Sequence, residues 1–571
     1  MWAKRAVRHA EDHNCLGNEQ GGSRPNRSAI DFANMKALTY AFARLSKTGL
    51  GTFNYDAKSC FDRIMAALAL IYCIALGMPD APCQIHGQAI SKMKHYAKTL
   101  QGTSQNYYSN ALNGPVFGSG HGSGGSPSLW LFMWVALAAA LRKIMVGMTF
   151  HSPDGTNKSE RNQDAYVDNT TGGINDTQGI EPSTPAELAQ RLHKLEQHWE
   201  KILFASGGRL ELEKCFDYII CWQWTNGIAS MMTNAELATN IALTCRNDAT
   251  TTPIEHKEVT EAHRTLGTRM CPTGDMTAKA NYLKNKAATI AGRIEVYQGP
   301  KWKAKLLYSS RYLPSMKYSL PLTTLSRKQV DQIQPRPTKA ILSSLGINRM
   351  FQRAVAFGPP QYGGLGLQHL LTKHGTLQVA LIIGHLQEPF IDNGKISLNN
   401  LDYAQITAGV LAPLLETPKT KYAHLINPWL DSHHVFLDEC DAKIIITKAW
   451  RPMLLRHNNQ LLMDAILTKG ASTGEAHLVN QCRLFLQFQR LSDIYNGAGT
   501  EICRDALSST SSSTAYTKSS LSWPPQGAPS AKAWLTWRRV IQRTGFSHGH
   551  SGPTAIVQTT QTTGQLDNTA S

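Results

Sequence analysis

The chain is short of the features that would place it quickly. Its eleven cysteines are scattered through 571 residues with no C-x-x-C pair and no zinc-ligand spacing. An odd count without a framework excludes a disulfide scaffold and points to a reduced, intracellular chain, with nucleus and cytoplasm both open. His433, His434 and Cys440 come nearest to a metal cluster, but no second Cys/His pair completes it, and they read as satisfied surface residues. No apolar run reaches the ~18 to 20 residues that cross a bilayer. The two longest, Ile64 to Gly77 and Leu129 to Leu141, read as buried helices, so no membrane partner is expected. Met1-Trp2-Ala3-Lys4-Arg5 has no apolar core behind it, which excludes a secretory signal. There is no internal repeat, and no recognisable endonuclease, aspartic protease, ribonuclease H or zinc knuckle.

Acidic residues are also scarce. Asp and Glu number 41 against 58 Lys and Arg, a formal net charge of +17. Such a balance favours a polyanionic partner, nucleic acid before an acidic membrane surface. Apolar residues make up 42% of the chain, enough for a sizeable core, and the length suits several domains.

Along the chain, residues 1 to 28 read as irregular. Ser28 is placed to cap a helix running to about Lys47, with Asp31 as its capping-box partner. The pattern then predicts a strand over 51–56, a helix over 59–77 stopped by Gly77 and Pro79, and a second helical region over 83–100. A Gly/Ser loop from 114 to 127 leads into a buried helix over 128–147. Residues 151 to 163 read as a polar insertion before a hairpin centred on Asp168, and 171 to 184 as loop. Leu188, Leu192, Leu195 and Trp199 recur at helical spacing within a helix over 185–205, and Tyr218 to Trp224 is a strand candidate. Between 281 and 353 stand fourteen Lys/Arg against only Glu295 and Asp331. Residues 375 to 505 read as largely helical. From 507 the chain is Ser/Thr-rich and reads as a mostly disordered tail, interrupted by a basic amphipathic helix at 533–541 suited to a partner surface.

The chemistry concentrates in Ala165-Tyr166-Val167-Asp168-Asn169-Thr170, a tight turn carrying a carboxylate between two extended runs. Upstream, Asp56 ends a strand that enters a helix. Phosphoryl transfer to a growing strand uses two divalent cations roughly 3.5 to 4 Å apart, one at the primer 3′-hydroxyl and one at the leaving pyrophosphate. Mg2+ takes oxygen ligands and keeps several waters, so a few carboxylates converging from different strands suffice. Read singly, Asp56 and Asp168 also suit turn or cap positions, Phe61 a core position and Lys214 a solvated surface.

Six segments in order resemble the reverse transcriptases of non-LTR retrotransposons. Gln20 to Ser28 is similar to their Q-x-G-x-R-P-x-R-S stretch, and Tyr55 to Asp62 to the first catalytic motif. Phe117 to Pro127 is similar to the Q-G-x-x-x-S-P loop, Tyr166 to Asn169 to the Y-x-D-D turn, and Gly207 to Cys215 to G-G-x-L-x-x-x-K-C. Leu266-Gly267 falls where the family has its primer-gripping hairpin.

The resemblance implies an α+β fold, a right-hand polymerase with an antiparallel palm sheet backed by helices, then a helical thumb and a helical C-terminal region. It implies partial fingers and palm over 1–250, a thumb-like basic region over 251–374, helices over 375–506 and the tail over 507–571, with the fingers truncated because only 19 residues precede Gln20. It further implies Mg2+ held by Asp56, Asp168 and Asn169, and Lys214 as proton donor to the departing pyrophosphate. Phe61 would be the gate against a ribose 2′-hydroxyl, with His121, Gly122, Ser126 and Pro127 shaping the nucleotide site. Lys301, Trp302, Lys303, Lys305 and Arg311 would track nucleic acid by charge and stacking. The implied partners are an RNA template, a DNA primer and dNTP. The chain departs from the family at Asn169, where a second Asp is expected, and at His121, where Gln is expected. The reaction so implied is RNA-directed DNA synthesis. A rival reading is an inactive, reverse-transcriptase-derived nucleic-acid-binding protein. RNA-directed RNA synthesis is a third, which Phe61 opposes.

Overall fold

The computed structural model describes residues 2–109, 118–119, 123–176, 182–246, 249–387, 392–454, 459–495, 502, 504–507 and 521–543. The fold is mixed α+β, with small sheets among many helices. The largest sheet has five strands, in the spatial order Glu255–His256, Phe216–Ile220, Leu50–Asp56, Asn169–Asn175, Gln163–Tyr166. Leu50–Asp56 lies at its centre, antiparallel to both neighbours.

Strand periodicity sends alternate side chains of that central strand to opposite faces. Phe53 and Tyr55 join the core formed with the helices Ser126–Ile144 and Pro185–Ala205. Tyr55 packs against Trp199 with ring centroids 5.5 Å apart. Asn54, on the other face, meets Lys36 of the helix Ala29–Ser46. Ser28 starts that helix as expected, its backbone N–H and hydroxyl donating to Asp31 Oδ2 at 2.9 and 2.8 Å.

Several sequence expectations need correction. Of the first 28 residues, 13 to 28 are turns and coil as expected, but Trp2–Asp12 is a helix that buries Ala6, Val7 and Ala10. The helix expected over 59–77 is two, Cys60–Arg63 and Ala66–Ala75, because Ile64 turns extended and Met65 N donates to Ser206 O at 3.0 Å. The second helical region ends at Ser91, and Lys94–Thr99 pairs with Gly102–Ser109 as an exposed hairpin. The polar insertion folds back as a hairpin, Met148–His151 against Lys158–Arg161.

Residues 171 to 175, expected as loop, belong to the strand Asn169–Asn175. The glycines misled the reading because they serve packing: a Cβ at Gly172 would stand 2.6 Å from the Tyr55 hydroxyl. Strand glycines often mark such a close approach. The Tyr218-to-Trp224 candidate splits at Cys221 into Phe216–Ile220 and Trp222–Thr225. The predicted helices over 185–205 and through 375–505 are present, the latter as Leu370–Gln387, Asn393–Ala408, Pro428–Glu439, Leu462–Thr468 and Thr473–Leu486.

The helix Ser126–Ile144 is 19 residues long and apolar enough to cross a bilayer, and 61% of its apolar window is buried inside the protein. His433 and His434 are buried, not on the surface, and bond to the carbonyls of Trp429 at 2.9 Å and Leu414 at 2.8 Å.

The amphipathic segment near the C-terminus forms the helix Ala531–Arg543, whose apolar face is covered by this chain rather than by a partner. Trp534, Trp537, Val540 and Ile541 enter a core with Val479, Cys482 and Leu486, and Trp537 Nε1 donates to Ala506 O at 2.9 Å. Trp537→Ala should therefore cost about 3–5 kcal/mol in urea denaturation. An unchanged midpoint would mean that this helix does not dock.

Candidate active site

The register of two strands builds the site. Asp56 ends the central strand directly opposite Asn169, the first residue of its neighbour. Asn169 in turn pairs with Tyr166 across a two-residue turn, Val167-Asp168, in which Val167 takes φ +60°. Asp56, Asp168 and Asn169, from two segments about a hundred positions apart, thus share one sheet edge.

The turn is held from three sides. Gln20 Nε2 donates to Val167 O at 3.0 Å while its Oε1 accepts from Val167 N at 3.1 Å and Gly22 N at 2.8 Å. Gly21 N donates to Ala165 O at 3.0 Å, which lays this segment along the hairpin. From beneath, Trp130 Nε1 donates to Val167 O at 2.6 Å and Trp134 Nε1 to Thr170 Oγ1 at 3.2 Å. These tryptophans sit four apart on one helix, so one face meets the turn and the strand after it. A Cβ at Gly22 would lie 2.4 Å from Val167 N, so glycine is needed there.

Asp56 feels both neighbours. Burial raises its pKa, the Lys214 ammonium lowers it, and the negative charge of Asp168 raises it again, for a net rise. Lys214 ends the turn Leu212–Lys214 and donates to Asp56 Oδ1 at 3.5 Å. At 63% side-chain exposure it is a solvated partner, so this pair contributes little stability.

Phe61 is half-buried against the core, and its carbonyl accepts from Ser119 N at 2.7 Å. Ser126, first residue of its helix, donates from Oγ to Ser119 O at 3.1 Å, and Pro127 follows at the second position. The loop and the Phe61 segment are therefore stitched together. His121 and Gly122 lie outside the described residues.

Leu266-Gly267 is a hairpin turn between His263–Thr265 and Thr268–Met270, both turn residues having positive φ. Tyr318 OH donates to Leu266 O at 2.8 Å. Lys301, Trp302, Lys303 and Lys305 are exposed on the helix Lys301–Leu307, with Ala304 buried behind them. Lys303 Nζ lies 5.5 Å from the Trp302 ring centroid, and Lys305 Nζ donates to Leu365 O at 3.4 Å. Arg311 is exposed in the following π-helical turn. Their bonds run within this helical region rather than to the Asp56 edge.

Sequence reasoning missed the polar layer under the site. Lys36 is fully buried and bonds to Asn54 Oδ1, to His263 Nε2 at 3.2 Å and to Thr265 Oγ1 at 3.3 Å. Thr265 Oγ1 reaches Asn169 Oδ1 at 3.5 Å, and Thr171 Oγ1 reaches Asn54 Oδ1 at 3.2 Å. A polar residue on the inward face of a helix otherwise rich in Phe, Leu and Tyr was the available signal.

Among the described residues no group of three or more His, Cys, Asp and Glu is gathered for a metal. The donors at the edge are two carboxylates, and hard oxygen donors in that number fit Mg2+, which takes its remaining ligands from phosphate and water.

No protein-family model matches the chain, and no curated protein matches it. Among solved structures, one similar to it is a telomerase from Candida albicans in complex with the TWJ fragment of telomeric RNA, at 12% identity and a TM-score of 0.23. That match covers 67% of this chain and 53% of the other, so this chain spans about half of that structure's length. A likeness that loose fixes neither fold nor function.

Gln20→Ala removes the clamp, so the amides of Val167 and Asp168 should exchange with solvent faster while the buried strand amides keep their protection; equal protection at the turn refutes the clamp. Burial pushes Lys36 down from its ordinary 10.5 to about 7, against the pull of Asp164. Between those values the folded state binds fewer protons than the unfolded one, so stability rises with pH across that window, by at most ~1.4 kcal/mol per pH unit. The difference between wild type and Lys36→Met should carry that slope in denaturation series, and a flat difference excludes it.

Proposed function

We propose that this chain is a nucleic-acid polymerase of the reverse-transcriptase kind, an RNA-directed DNA polymerase derived from a non-LTR-like retrotransposon. The observation that carries the reading is the pairing of Asp56 with Asn169 beside Asp168. It joins the first motif and the Y-x-D-D-like turn of the resemblance on one sheet edge, with Lys214 of a third motif at 3.5 Å. In this reading the five-stranded sheet and its two helices are the palm, and the basic helices after residue 277 are the thumb.

Asp56 and Asp168 would hold Mg2+. When bound, the metal supplies a primer 3′-oxygen activated for attack and neutralises charge on the triphosphate. The chain's own residues do the rest. Lys214, long and exposed, swings from Asp56 to the departing pyrophosphate and offers it a proton. Phe61 closes the side of the pocket where a ribose 2′-hydroxyl would stand, selecting dNTP. Its carbonyl bond to Ser119 keeps the ring in step with the loop that ends at Ser126 and Pro127. The Leu266-Gly267 hairpin is suited to hold the DNA primer end against the edge. Lys301, Lys303, Lys305 and Arg311 present charge to the backbone of an RNA template paired with its primer, and Trp302 a face for stacking.

A second reading, a nucleic-acid-binding protein that no longer polymerises, is favoured by Asn169, which removes one carboxylate from the edge. Primer extension on an RNA template separates the two. We expect Mg2+-dependent dNTP incorporation that falls at least about a hundredfold in Asp56→Ala and in Asp168→Ala. Salt-dependent RNA binding without any incorporation would decide for the second reading. Under both readings, neutralising Lys301, Lys303 and Lys305 together should flatten the slope of log affinity against log salt by about 2 to 3 units. An unchanged slope would remove this helix from the interface.

A further inference from the structure

The structure assigns to Asn169 the role of a hydrogen-bond donor toward bound nucleotide: its amide oxygen is turned inward to Thr265, and its Nδ2 is presented at the Asp56 edge to the triphosphate oxygens. This rests on the polymerase reading for the identity of the ligand, and on hydrogen-bond accounting for the orientation.

A backbone carbonyl, Glu261 O, can only accept. Tyr218 OH donates its one proton to Glu261 O at 2.7 Å. Its 2.9 Å contact with His263 Nδ1 therefore needs the proton on Nδ1, which leaves Nε2 as an acceptor. Lys36 lies 3.2 Å from that Nε2, beside Asn54 Oδ1 and 3.3 Å from Thr265 Oγ1. An ammonium has three N–H groups and no acceptor, and here it meets three acceptors. Thr265 Oγ1 thus accepts from Lys36, and its own proton is free for the neighbour at 3.5 Å, Asn169 Oδ1.

With His263 Nε2 fixed as an acceptor, the donors run one way, from Lys36 through Thr265 to Asn169, and that order turns the amide oxygen inward. An amide's oxygen and nitrogen point apart, so an oxygen bonded to Thr265 turns Nδ2 outward. Asn169 is half-buried, stands opposite Asp56, and its Nδ2 has no protein partner among the described residues. Two carboxylates and an outward N–H at one edge suit a metal-chelated triphosphate, with the amide donating to a phosphate oxygen the metal does not cover. An Asp at this position could not do this, since an ionised carboxylate only accepts.

The test has two arms, both at slightly acidic pH, where Lys36 keeps its proton. In the first, wild type, Thr265→Val, Asn169→Ala and the double variant are melted without added metal. We expect the double variant to melt close to the worse single variant, because both remove the same bond. Thr265→Ser, which keeps the hydroxyl, should match wild type. Additive shifts overturn the inward orientation.

In the second arm, Mn2+ is titrated and read by electron paramagnetic resonance, then a nonhydrolysable dNTP is added. Asn169→Ala should leave Mn2+ affinity within about twofold while weakening the nucleotide about tenfold, whereas Asp168→Asn should weaken Mn2+ itself about tenfold or more. An Asn169→Ala loss of Mn2+ equal to that of Asp168→Asn overturns the donor role and makes Asn169 a ligand. Failure of the polymerase reading looks different. Wild type would then bind neither Mn2+ nor dNTP, while the melting arm still decides whether Thr265 and Asn169 are bonded.

Discussion

The candidate site depends on strand register. Side chains alternate along a strand, so a slip of one residue between Leu50–Asp56 and Asn169–Asn175 would send Asp56 to the apolar face and leave Tyr55 at the open edge. In the observed register Gly172 lies beneath the Tyr55 hydroxyl, where a Cβ would stand 2.6 Å from it. The Gln20 clamp and the two indole N–H donors then fix the turn in space. The carboxylates are presented by a frame that is rigid on three sides and open on the fourth.

Much of this was legible in the sequence, and the failures have physical causes. The two strand ends, the buried helix behind the Gly/Ser loop and the helix over 185–205 declared themselves through alternation, apolar spacing and capping residues. The strand after Asp168 did not, because Thr171-Gly172-Gly173 carries loop-like composition for the sake of Tyr55. The break at Ile64 was also invisible, since it answers to a bond from Met65 to Ser206, far along the chain. Local propensity cannot report a partner 141 positions away by that numbering. The motif order led to Lys214, and the structure sets it beside Asp56. Nothing in the motifs led to Lys36, whose role exists only once the helix Ala29–Ser46 lies across the sheet.

The two faces of the sheet do different work. The face with Phe53 and Tyr55 is packed with aromatic rings and gives the site its stiffness. The face with Asn54 is a thin polar layer under the Asp56 edge, in which Asn54 Oδ1 accepts from both Lys36 and Thr171. A buried lysine is costly unless its hydrogen bonds are made, and here three acceptors surround it. Stiffness and protonic order are thus supplied from opposite sides of a single strand.

The segment 521–543 also matters to how the molecule comes to be made. Ser522 N bonds to Pro153 O at 2.7 Å, Gly527 lies against the Trp224 side chain, and the helix that follows docks on Thr473–Leu486. The first two contacts span hundreds of residues, and none of the three can form until residues 522–543 leave the ribosome. Until then Trp224 and the apolar face awaiting Trp534 and Trp537 stand uncovered, sticky surface on the nascent chain that a later segment will hide.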